Sequence, residues 1–274
     1  MDEIYLDYVE GISDAGLIND RVQYPEITPE LLESLNEQGA EENISVGYHA
    51  IEFLLWGQDL SEDGAGQRAY TDYTTSPNAK RRAETLTILT QLLVDHLLSL
   101  VSDWSPDSED NYRTHFLAQD SDAALVALLT GAGVLSKSEL AGERMYTAYD
   151  NQDQEDEHSC FGDNTHRDIA NNFASIRNVM LGHYERIDGT IISGPNVIDL
   201  LREVDTARAD DLLSLLDTAQ TAIDAVPVPF DQAIIDPDQR ESVYNAVIAL
   251  LDLGDAIAES ATALDLKINT ALSG

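Results

Sequence analysis

A histidine and a glutamate lie three positions apart in the otherwise mostly apolar stretch SVGYHAIEFLLWGQD, at His49 and Glu52. On a helix, residues three apart project from one face, with Cβ atoms about 5–6 Å apart. A neutral imidazole and a carboxylate at that separation can bind one metal ion, as Glu-x-x-His pairs do in di-iron bundles. A hydrogen-bonded structural pair has the same spacing, so the pair alone leaves both interpretations open.

A second group of candidate ligands lies in DNQDQEDEHSCFGDNTHRDIANN, residues 150 to 172. A solvated acidic loop explains Asp153 and Asp156, but histidines add nothing to such a face and are good metal ligands. Oxygen and nitrogen donors without thiolates suit iron, manganese or zinc and do not select among them. The candidate ligands in this stretch are Glu155, His158, Asp163 and His166, with Asp168 in support.

Other polar side chains are interpreted as structural. His96 lies in a leucine-rich helix and His115 in an aromatic setting, so both are predicted to be packing or surface residues. Cys160 is predicted to be a small buried hydrophobic residue and not a nucleophile. Arg144, which follows Glu143, is predicted to pair either with the acidic cluster or with a nearby carboxylate.

The charge balance limits the partners. The 274 residues include 15 basic and 51 acidic side chains, which gives a net charge of −36. Such a chain repels phosphate backbones, so nucleic acid and anionic membranes are predicted to be poor partners and cations good ones. No run of eighteen apolar residues predicts a membrane span, and the N-terminal stretch MDEIYLDYVEG has no signal-peptide pattern. Charge patterning predicts a heavily hydrated acidic surface.

Helical apolar spacing runs through nearly the whole chain, and no segment alternates long enough to predict a sheet. Thr28 is predicted to cap a short helix with Pro29 at its first position. The helix of His49 is predicted to be capped by Ser45 and to end near Gly57. Longer helices are predicted at about 78–104, 109–134, 136–150, 164–186, 196–225 and 239–265.

Long helices with short polar breaks are typical of antiparallel bundles. The SPDSED break around Pro106 predicts a domain boundary there. We therefore predict an all-α protein of two packed helical-bundle domains, residues 1–107 and 108–274. The first domain carries the helix of His49, and the second is a more complete bundle resembling a four-helix bundle.

Several stretches together resemble the imelysin family, including its iron-regulated protein A branch. GYHAIEFLLWGQD carries the family's Gly-x-His-x-x-Glu signature at Gly47, His49 and Glu52. The stretches GAGQRAYTDY, NAKRRAETL, ELAGERMYTAYDNQDQEDEHSCFGDNTHRDI and PVPFDQAI follow in family order. The resemblance covers nearly the whole chain. It departs from the family at Gly162, where we expect Ser, and at the N-terminus, where family members usually have a further helix.

The resemblance implies a fold of two helical bundles with the signature helix at their interface. Because family members usually have a further helix at the N-terminus, we expect the first bundle to lack that helix. Such a bundle would leave an apolar groove exposed or would need a partner to fill it. The resemblance also implies a periplasmic or outer-surface location in a bacterium, a link to iron uptake or regulation, and other iron-uptake envelope proteins as partners. It carries over His49, Glu52, Glu155, His158, Asp163 and His166 as functional residues, supported by Gly47, Glu143, Arg144 and Asp168.

Three functions stay open at this point. The first is a metal-binding protein of iron acquisition, with a divalent or trivalent ion at the domain interface, iron as the first choice and zinc as the alternative. The second is a metallopeptidase, in which Glu52 and Glu155 would share the roles of ligand and general base, because the sequence has no His-Glu-x-x-His motif. The third is a metal-free module that binds a small ligand or a polysaccharide.

Overall fold

The computed structural model describes residues 3–61 and 64–271 and divides them into two compact units. Unit 1 ends at Phe116 and unit 2 begins at Leu117. The sequence had suggested a division at residue 107. The division falls later because the ring of Trp104, at the end of a long helix, packs on Tyr112 and Phe116, with centroids 5.2 and 6.1 Å away.

Unit 1 contains four α-helices, the last of which extends to Leu117. They are α1 (Pro29–Leu35), α2 (Tyr48–Trp56), α3 (Ala79–Asp103) and α4 (Tyr112–Leu117). The predicted cap of α1 is confirmed, because the Thr28 hydroxyl accepts a hydrogen bond from the Leu31 N–H at 3.2 Å. The predicted cap of α2 is wrong: the Ser45 hydroxyl donates to the carbonyl of Leu32 at 2.6 Å, and Gly47 takes the cap position.

Unit 2 opens with one unbroken helical stretch where two helices were predicted. It consists of α5 (Ser121–Val134), a π-helical segment (Leu135–Tyr146) and α6 (Thr147–Asn151). After a loop come α7 (Thr165–Leu181), α8 (Val197–Val204), α9 (Thr206–Asp224), α10 (Phe230–Ile235) and α11 (Arg240–Ala263).

Two predicted helix boundaries in unit 2 are wrong, each for a local physical reason. Helix α7 ends at Leu181 because Gly182 takes a left-handed φ of 56°. A Cβ at that position would come within 2.8 Å of the Pro195 carbonyl oxygen. The predicted helix over 196–225 is broken at Asp205, whose extended backbone lets its carboxylate cap α9 at the Arg208 N–H, 3.0 Å away.

A short hairpin follows α7, although the sequence predicted no sheet. Strands β1 (His183–Glu185) and β2 (Ile191–Ser193) pair antiparallel, with Tyr184 opposite Ile192. Since all their residues are exposed, the strands lack the buried alternation on which a sequence prediction of strands depends. The all-α prediction is otherwise confirmed over the described residues.

The two units bury different kinds of side chain. A continuous apolar cluster from Leu129 to Leu266 forms the core of unit 2, and α11 contributes many of its members. Unit 1 buries a shorter set of apolar residues, including Leu6, Phe53 and Leu89, and beside them Asp7 and Arg82. The interior of unit 1 is therefore partly ionic.

Helix α3 is buried only along its first half. Leu89 and Leu92 are buried, but every residue from Val94 to Trp104 is exposed. By length and composition alone, α3 and the stretch Ser121–Asn151 are apolar enough to cross a membrane, but only 17% of the apolar window of α3 is buried in the protein. The second half of α3 therefore exposes apolar side chains.

Candidate functional site

Helix α2 begins at a glycine for a conformational reason. Gly47 precedes the helix with φ 91°, a value that L-residues with a side chain rarely adopt. A Cβ there would meet no atom within 4 Å, so the requirement comes from the backbone conformation and not from crowding. The glycine of the Gly-x-His-x-x-Glu stretch therefore sets the direction in which α2 starts, two residues before His49.

His49 and Glu52 contact each other, as their spacing on a helix allows. His49 Nδ1 lies 2.9 Å from Glu52 Oε2, within hydrogen-bonding distance. The His49 side chain is 32% exposed and that of Glu52 13%, so the carboxylate is largely withdrawn from water while the imidazole stays reachable. An ion that took both residues as ligands would replace this hydrogen bond, since an imidazole nitrogen binds a metal only when it carries no proton.

The C-terminal end of α2 is fixed by side chains from the following loop. Arg68 donates from Nε and Nη2 to the Phe53 carbonyl at 3.3 and 3.2 Å, and the Tyr73 hydroxyl donates to the carbonyl of Leu54. Gly57 ends the helix as predicted, with its N–H on the same Phe53 carbonyl at 2.7 Å. The carbonyls of the last helical turn need such partners when they are buried.

Arg68 belongs to a buried network of charges. Asp7 is fully buried and accepts from Arg82 Nε at 2.5 Å and Nη2 at 2.9 Å, a two-point contact with the guanidinium. Arg68 Nη1 lies between Asp7, 3.0 Å away, and Asp72, 3.2 Å away. The hydroxyl of Tyr8 donates to Asp72. The network therefore joins the N-terminal segment, the loop around Arg68 and α3 to the end of α2.

Burial and charge shift the pKa values of this network in a consistent way. Burial alone would lower the pKa of Arg82, but the hydrogen bond and charge of Asp7 raise it above its ordinary value. Burial, and then the bond to Asp72, raises the pKa of Tyr8, and burial raises that of Tyr73 to about 12. The arginine thus stays charged and the tyrosines neutral across the physiological range.

Sequence reasoning missed this network. The stretches around Arg68 and Arg82 were used only as family resemblances, and Asp7 was assigned no role. The available signal was an acidic residue among apolar ones in EIYLDYV, in a chain with only fifteen basic side chains to neutralise it. Because a buried carboxylate requires a partner, this context predicts a buried arginine somewhere, though not which one.

In unit 2, the π-helical segment positions Arg144. Its guanidinium donates to Glu139 Oε2 and to Asn172 Oδ1 of α7, both at 3.1 Å. Arg144 therefore pairs with a nearby carboxylate, that of Glu139, which was one of the two partners predicted for it. Glu143 lies on the same segment and is exposed. Short π-helical insertions occur often at functional sites, and here the segment places an arginine against α7.

The loop after α6 brings together His158, Ser159 and Asp168. Nδ1 of His158 lies 3.6 Å from Asp168 Oδ2, and the Ser159 hydroxyl donates to the same oxygen at 2.5 Å. Asp168 was predicted as a supporting residue, and it does contact one of the predicted histidines. This group forms a second histidine–carboxylate pair, with the histidine in a turn and the carboxylate on α7.

The other predicted ligands of unit 2 lie in the same loop or at the start of α7. Glu155 is exposed within a 3-10 turn, and Asp163 takes a left-handed backbone with φ 51°. His166 is half-buried in the first turn of α7, and its Nδ1 is a buried atom with no hydrogen-bond partner. Glu155 and Asp163 are therefore positioned by the loop, and His166 by the start of α7.

The donor chemistry of the two pairs fits a metal ion, but the count of donors is small. Each pair offers an imidazole nitrogen and a carboxylate oxygen, the donors preferred by iron and zinc. Within residues 3–61 and 64–271, no group of three or more His, Cys, Asp or Glu side chains is arranged to hold an ion. A pair supplies two ligands, and water or another donor would complete the coordination.

The side chains interpreted as structural behave as expected. His96 Nε2 lies 3.0 Å from Glu33 of α1, and His115 Nε2 lies 2.9 Å from Asp110 on the surface. Cys160 is buried, as predicted for a small hydrophobic residue.

A cavity of about 540 Å³ opens at the C-terminal end of α2, away from His49. Its walls carry the aromatic rings of Tyr8 and Trp56 and the polar side chains of Gln58, Gln67 and Arg68. Cavities of this size suit a small organic ligand. A small organic ligand bound there would fit the third function considered above, a module that binds a small ligand without a metal.

Two known proteins are similar to this chain, one in sequence and one in structure. The iron-regulated protein A of Synechococcus elongatus is 26% identical over 219 residues, which are 77% of this chain and 56% of the relative. The chain thus spans little more than half the length of that curated relative. A crystal structure of a protein assigned as an iron-regulated protein A precursor, from Parabacteroides distasonis, superposes with a TM-score of 0.67 at 20% identity.

That superposition covers 90% of this chain and 71% of the Parabacteroides chain, and at such identity it shows that the fold is shared. The sequence model of the Imelysin family matches residues 8–257, from the residue after Asp7 to the middle of α11. The matched region contains the Gly47, His49 and Glu52 stretch and the loop of His158. The chain belongs to the imelysin family.

Proposed function

We propose that this chain is an iron-associated imelysin-like protein that binds a metal ion through His49 and Glu52. The observation that carries the proposal is the 2.9 Å contact between an accessible imidazole and a largely buried carboxylate. Both ends of their helix are fixed, at one end by the conformation of Gly47 and at the other by Arg68 on the Phe53 carbonyl. A fixed helix keeps the two donors in place without a ligand.

The separation of the two atoms supports joint binding of one ion. Adjacent ligands in an octahedral shell at bond lengths of about 2.1 Å lie about 3 Å apart. Little movement would therefore be needed for both atoms to replace their mutual hydrogen bond by bonds to a metal. Iron is the first choice because the Synechococcus relative is named iron-regulated protein A, and zinc, which takes the same donors, is the alternative.

Anaerobic titration calorimetry with ferrous ion, repeated with zinc, tests the proposal. A background of about 1 M KCl shortens the Debye length to about 3 Å and suppresses capture by the acidic surface. Wild type is expected to bind one ion, and His49→Ala and Glu52→Gln to bind at least tenfold more weakly. His115→Ala, which removes an exposed histidine paired with Asp110, serves as the matched control. Equal binding by wild type and His49→Ala would reject the site.

The predicted contribution of unit 2 to the same ion is a separate part of the proposal. It assigns further ligands to His158, His166, Glu155 and Asp163. The support is the donor chemistry of the His158–Asp168 pair and the buried Nδ1 atom of His166. His158→Ala and His166→Ala are expected to weaken the ion that His49→Ala removes. If metal binding is unchanged in both His158→Ala and His166→Ala, unit 2 contributes no ligand and the site consists of residues of α2 alone.

Metal binding is expected to weaken as pH falls through the range where histidine gains a proton, since imidazole binds metals only when deprotonated. The titration at pH 5 and pH 7.5 measures this effect.

Peptide cleavage is the second candidate, favoured by membership of a family classed among peptidases. Hydrolysis requires an open metal position and a general base, and Glu52 would supply one role and Glu155 the other. A cleavage assay on a mixed peptide library, with and without chelator, tests it. Activity that Glu52→Gln leaves intact would exclude this mechanism.

We further propose a location in the cell envelope, because the Parabacteroides relative is assigned as a precursor. Other iron-uptake proteins of the envelope are the expected partners.

A further inference from the structure

The last ten residues of α3, from Val94 to Asp103, and Trp104 after them present a surface that no other described residue of unit 1 covers. Six large apolar side chains between Val94 and Trp104 are each 41 to 66% exposed. Soluble monomers rarely expose contiguous apolar patches above roughly 300–600 Å². Six half-exposed side chains of this size reach the upper end of that range, in a chain whose surface is otherwise strongly acidic.

The order of residues on this surface follows the heptad rule of paired helices. The core positions a and d are Val94, Leu97, Val101 and Trp104, and the flanking positions e and g are Leu98 and Leu100. The outer positions b, c and f hold only polar residues: Asp95, His96, Ser99, Ser102 and Asp103. This separation is the pattern by which helices associate through an a/d seam, with polar residues facing water.

The pattern is confined to this part of the helix. One heptad earlier, Thr87 and Thr90 take the a and d positions. That half of α3 is instead anchored in unit 1, where Arg82 binds Asp7 and Leu89 and Leu92 are buried. The exposed half is about 16 Å long at 1.5 Å per residue. It is therefore too short to cross a hydrocarbon layer of about 30 Å.

We propose that this surface, from Val94 in α3 to Trp104 directly after its last residue, binds a second copy of the same chain, with the two α3 helices antiparallel about a twofold axis at the level of Ser99. In that register Val94 of one copy faces Trp104 of the other, and Leu97 faces Val101. A small residue meets a large one at each end, as a self-complementary contact requires. No charged side chain enters the seam.

The exposed apolar area is of the order that one face of a dimer requires. A standard interface takes about 800 Å² from each partner. The seam supplies most of this, and the half-exposed ring of Tyr112, tilted by 57° against Trp104 with centroids 5.2 Å apart, lies at its end and extends it. An anionic bilayer is a poorer occupant, because Asp95, Asp103 and the net charge of −36 oppose its approach.

Charge also predicts how dimerisation responds to salt. Two chains of net charge −36 repel each other, and salt shortens the range of that repulsion from about 10 Å at 0.1 M to about 3 Å at 1 M. Since the seam itself is apolar, added salt weakens the repulsion between the two acidic chains and leaves the hydrophobic attraction between the seams. The dimer is therefore expected to tighten as KCl rises, the reverse of an interface held by ion pairs.

Sedimentation equilibrium of the full chain between 1 and 100 μM, in 0.1 and 1 M KCl, tests the proposal. Wild type is expected to reach twice the monomer mass of 30.1 kDa in 1 M KCl and to dissociate on dilution or at low salt. Val101→Asp is expected to stay monomeric. Ile187→Asp adds the same charge at the fully exposed tip of the hairpin and is expected to dimerise like wild type.

Each other outcome overturns the proposal. A wild-type chain that stays monomeric at 100 μM in 1 M KCl has no such interface, and a dimer that survives Val101→Asp uses another surface. Co-sedimentation of monomeric protein with phosphatidylcholine vesicles, lost in Val101→Asp, would assign the surface to lipid instead.

Discussion

The two units of this protein are stabilised by different interiors. Unit 2 is held by a continuous apolar cluster in which α11 packs against its neighbours, while unit 1 places Asp7, Arg82 and Arg68 at its centre. A buried ion pair adds little net stability compared with apolar packing, but it is costly to break. The difference suggests that unit 1 uses its charges to hold segments distant in sequence in one arrangement, among them the helix of His49.

The sequence makes the two units separately measurable. Both tryptophans, Trp56 and Trp104, belong to unit 1. Tryptophan fluorescence therefore follows the unfolding of unit 1, while the far-ultraviolet circular dichroism signal is weighted towards unit 2, which contains most of the helical residues. Comparing the two signals tests whether unit 1 depends on buried charges and unit 2 on apolar packing.

The largest effect is expected from Arg82→Met. It leaves the fully buried carboxylate of Asp7 without its two-point partner, and removing one member of a buried pair costs about 3–5 kcal/mol. Urea unfolding followed by fluorescence measures the loss. Lys80→Met, two residues earlier on α3, breaks only an exposed pair with Glu84 and is expected to cost less than about 1 kcal/mol. Similar losses in both variants would contradict an ionic interior.

A comparable effect in unit 2 is expected from Leu250→Ala. Leu250 is fully buried in the apolar cluster, and truncating such a leucine costs about 2–5 kcal/mol. The dichroism transition should move to lower urea while the fluorescence transition moves less. Leu128→Ala, at a 38% exposed position of α5, is the control and should cost less. An equal shift of both probes would mean that the units do not unfold separately.

Alkaline pH is expected to weaken unit 1 by a smaller amount. Burial raises the pKa of Tyr73 to about 12, above its ordinary value of 10, so the folded state holds the proton more tightly than the unfolded state does. The resulting stability is fully present below pH 10 and is lost as pH rises towards 12. Urea midpoints at pH 9 and pH 11.5 measure the decrease. Tyr73→Phe should reduce this pH dependence, and an unchanged dependence would assign it to other groups.

The smallest expected effects come from helix caps, one in each unit. Thr28→Ala removes the cap of α1, and Asn196→Ala removes the cap of α8, in which Asn196 Oδ1 accepts from the Asp199 N–H at 2.8 Å. Each should cost about 1 kcal/mol. The first should appear mainly in fluorescence and the second mainly in dichroism. A loss that appears with the opposite probe would show that the probes do not separate the units.

Local signals explain which parts of the fold were predictable. The cap at Thr28, the end of α2 at Gly57 and the contact between His49 and Glu52 each depend on residues within four positions of one another. The pair at His49 could therefore be predicted from spacing alone. Metal binding by this pair also requires further donors, which the spacing of two residues does not reveal. Metal binding therefore stays a prediction.

Contacts between distant residues explain the failures. Ser45 was expected to cap α2, but its hydroxyl satisfies the Leu32 carbonyl thirteen residues earlier. The charge network joins Asp7 to Arg82 across seventy-five positions, a pairing that no single stretch encodes. In unit 2, the extent of α7 depends on backbone packing at Gly182 against Pro195. Tertiary contacts override local propensity at each of these sites.

The central claim is that the helix fixed by the charge network holds a metal ion at His49 and Glu52. Thermal unfolding of unit 1, followed by tryptophan fluorescence with excess ferrous ion or with chelator, tests it most directly. An ion that binds only the folded state at about 100 times its dissociation constant adds about 2.7 kcal/mol. We predict that the fluorescence midpoint of wild type rises with iron and that the midpoint of His49→Ala does not. An equal rise in both proteins, or no rise in wild type, would contradict the claim.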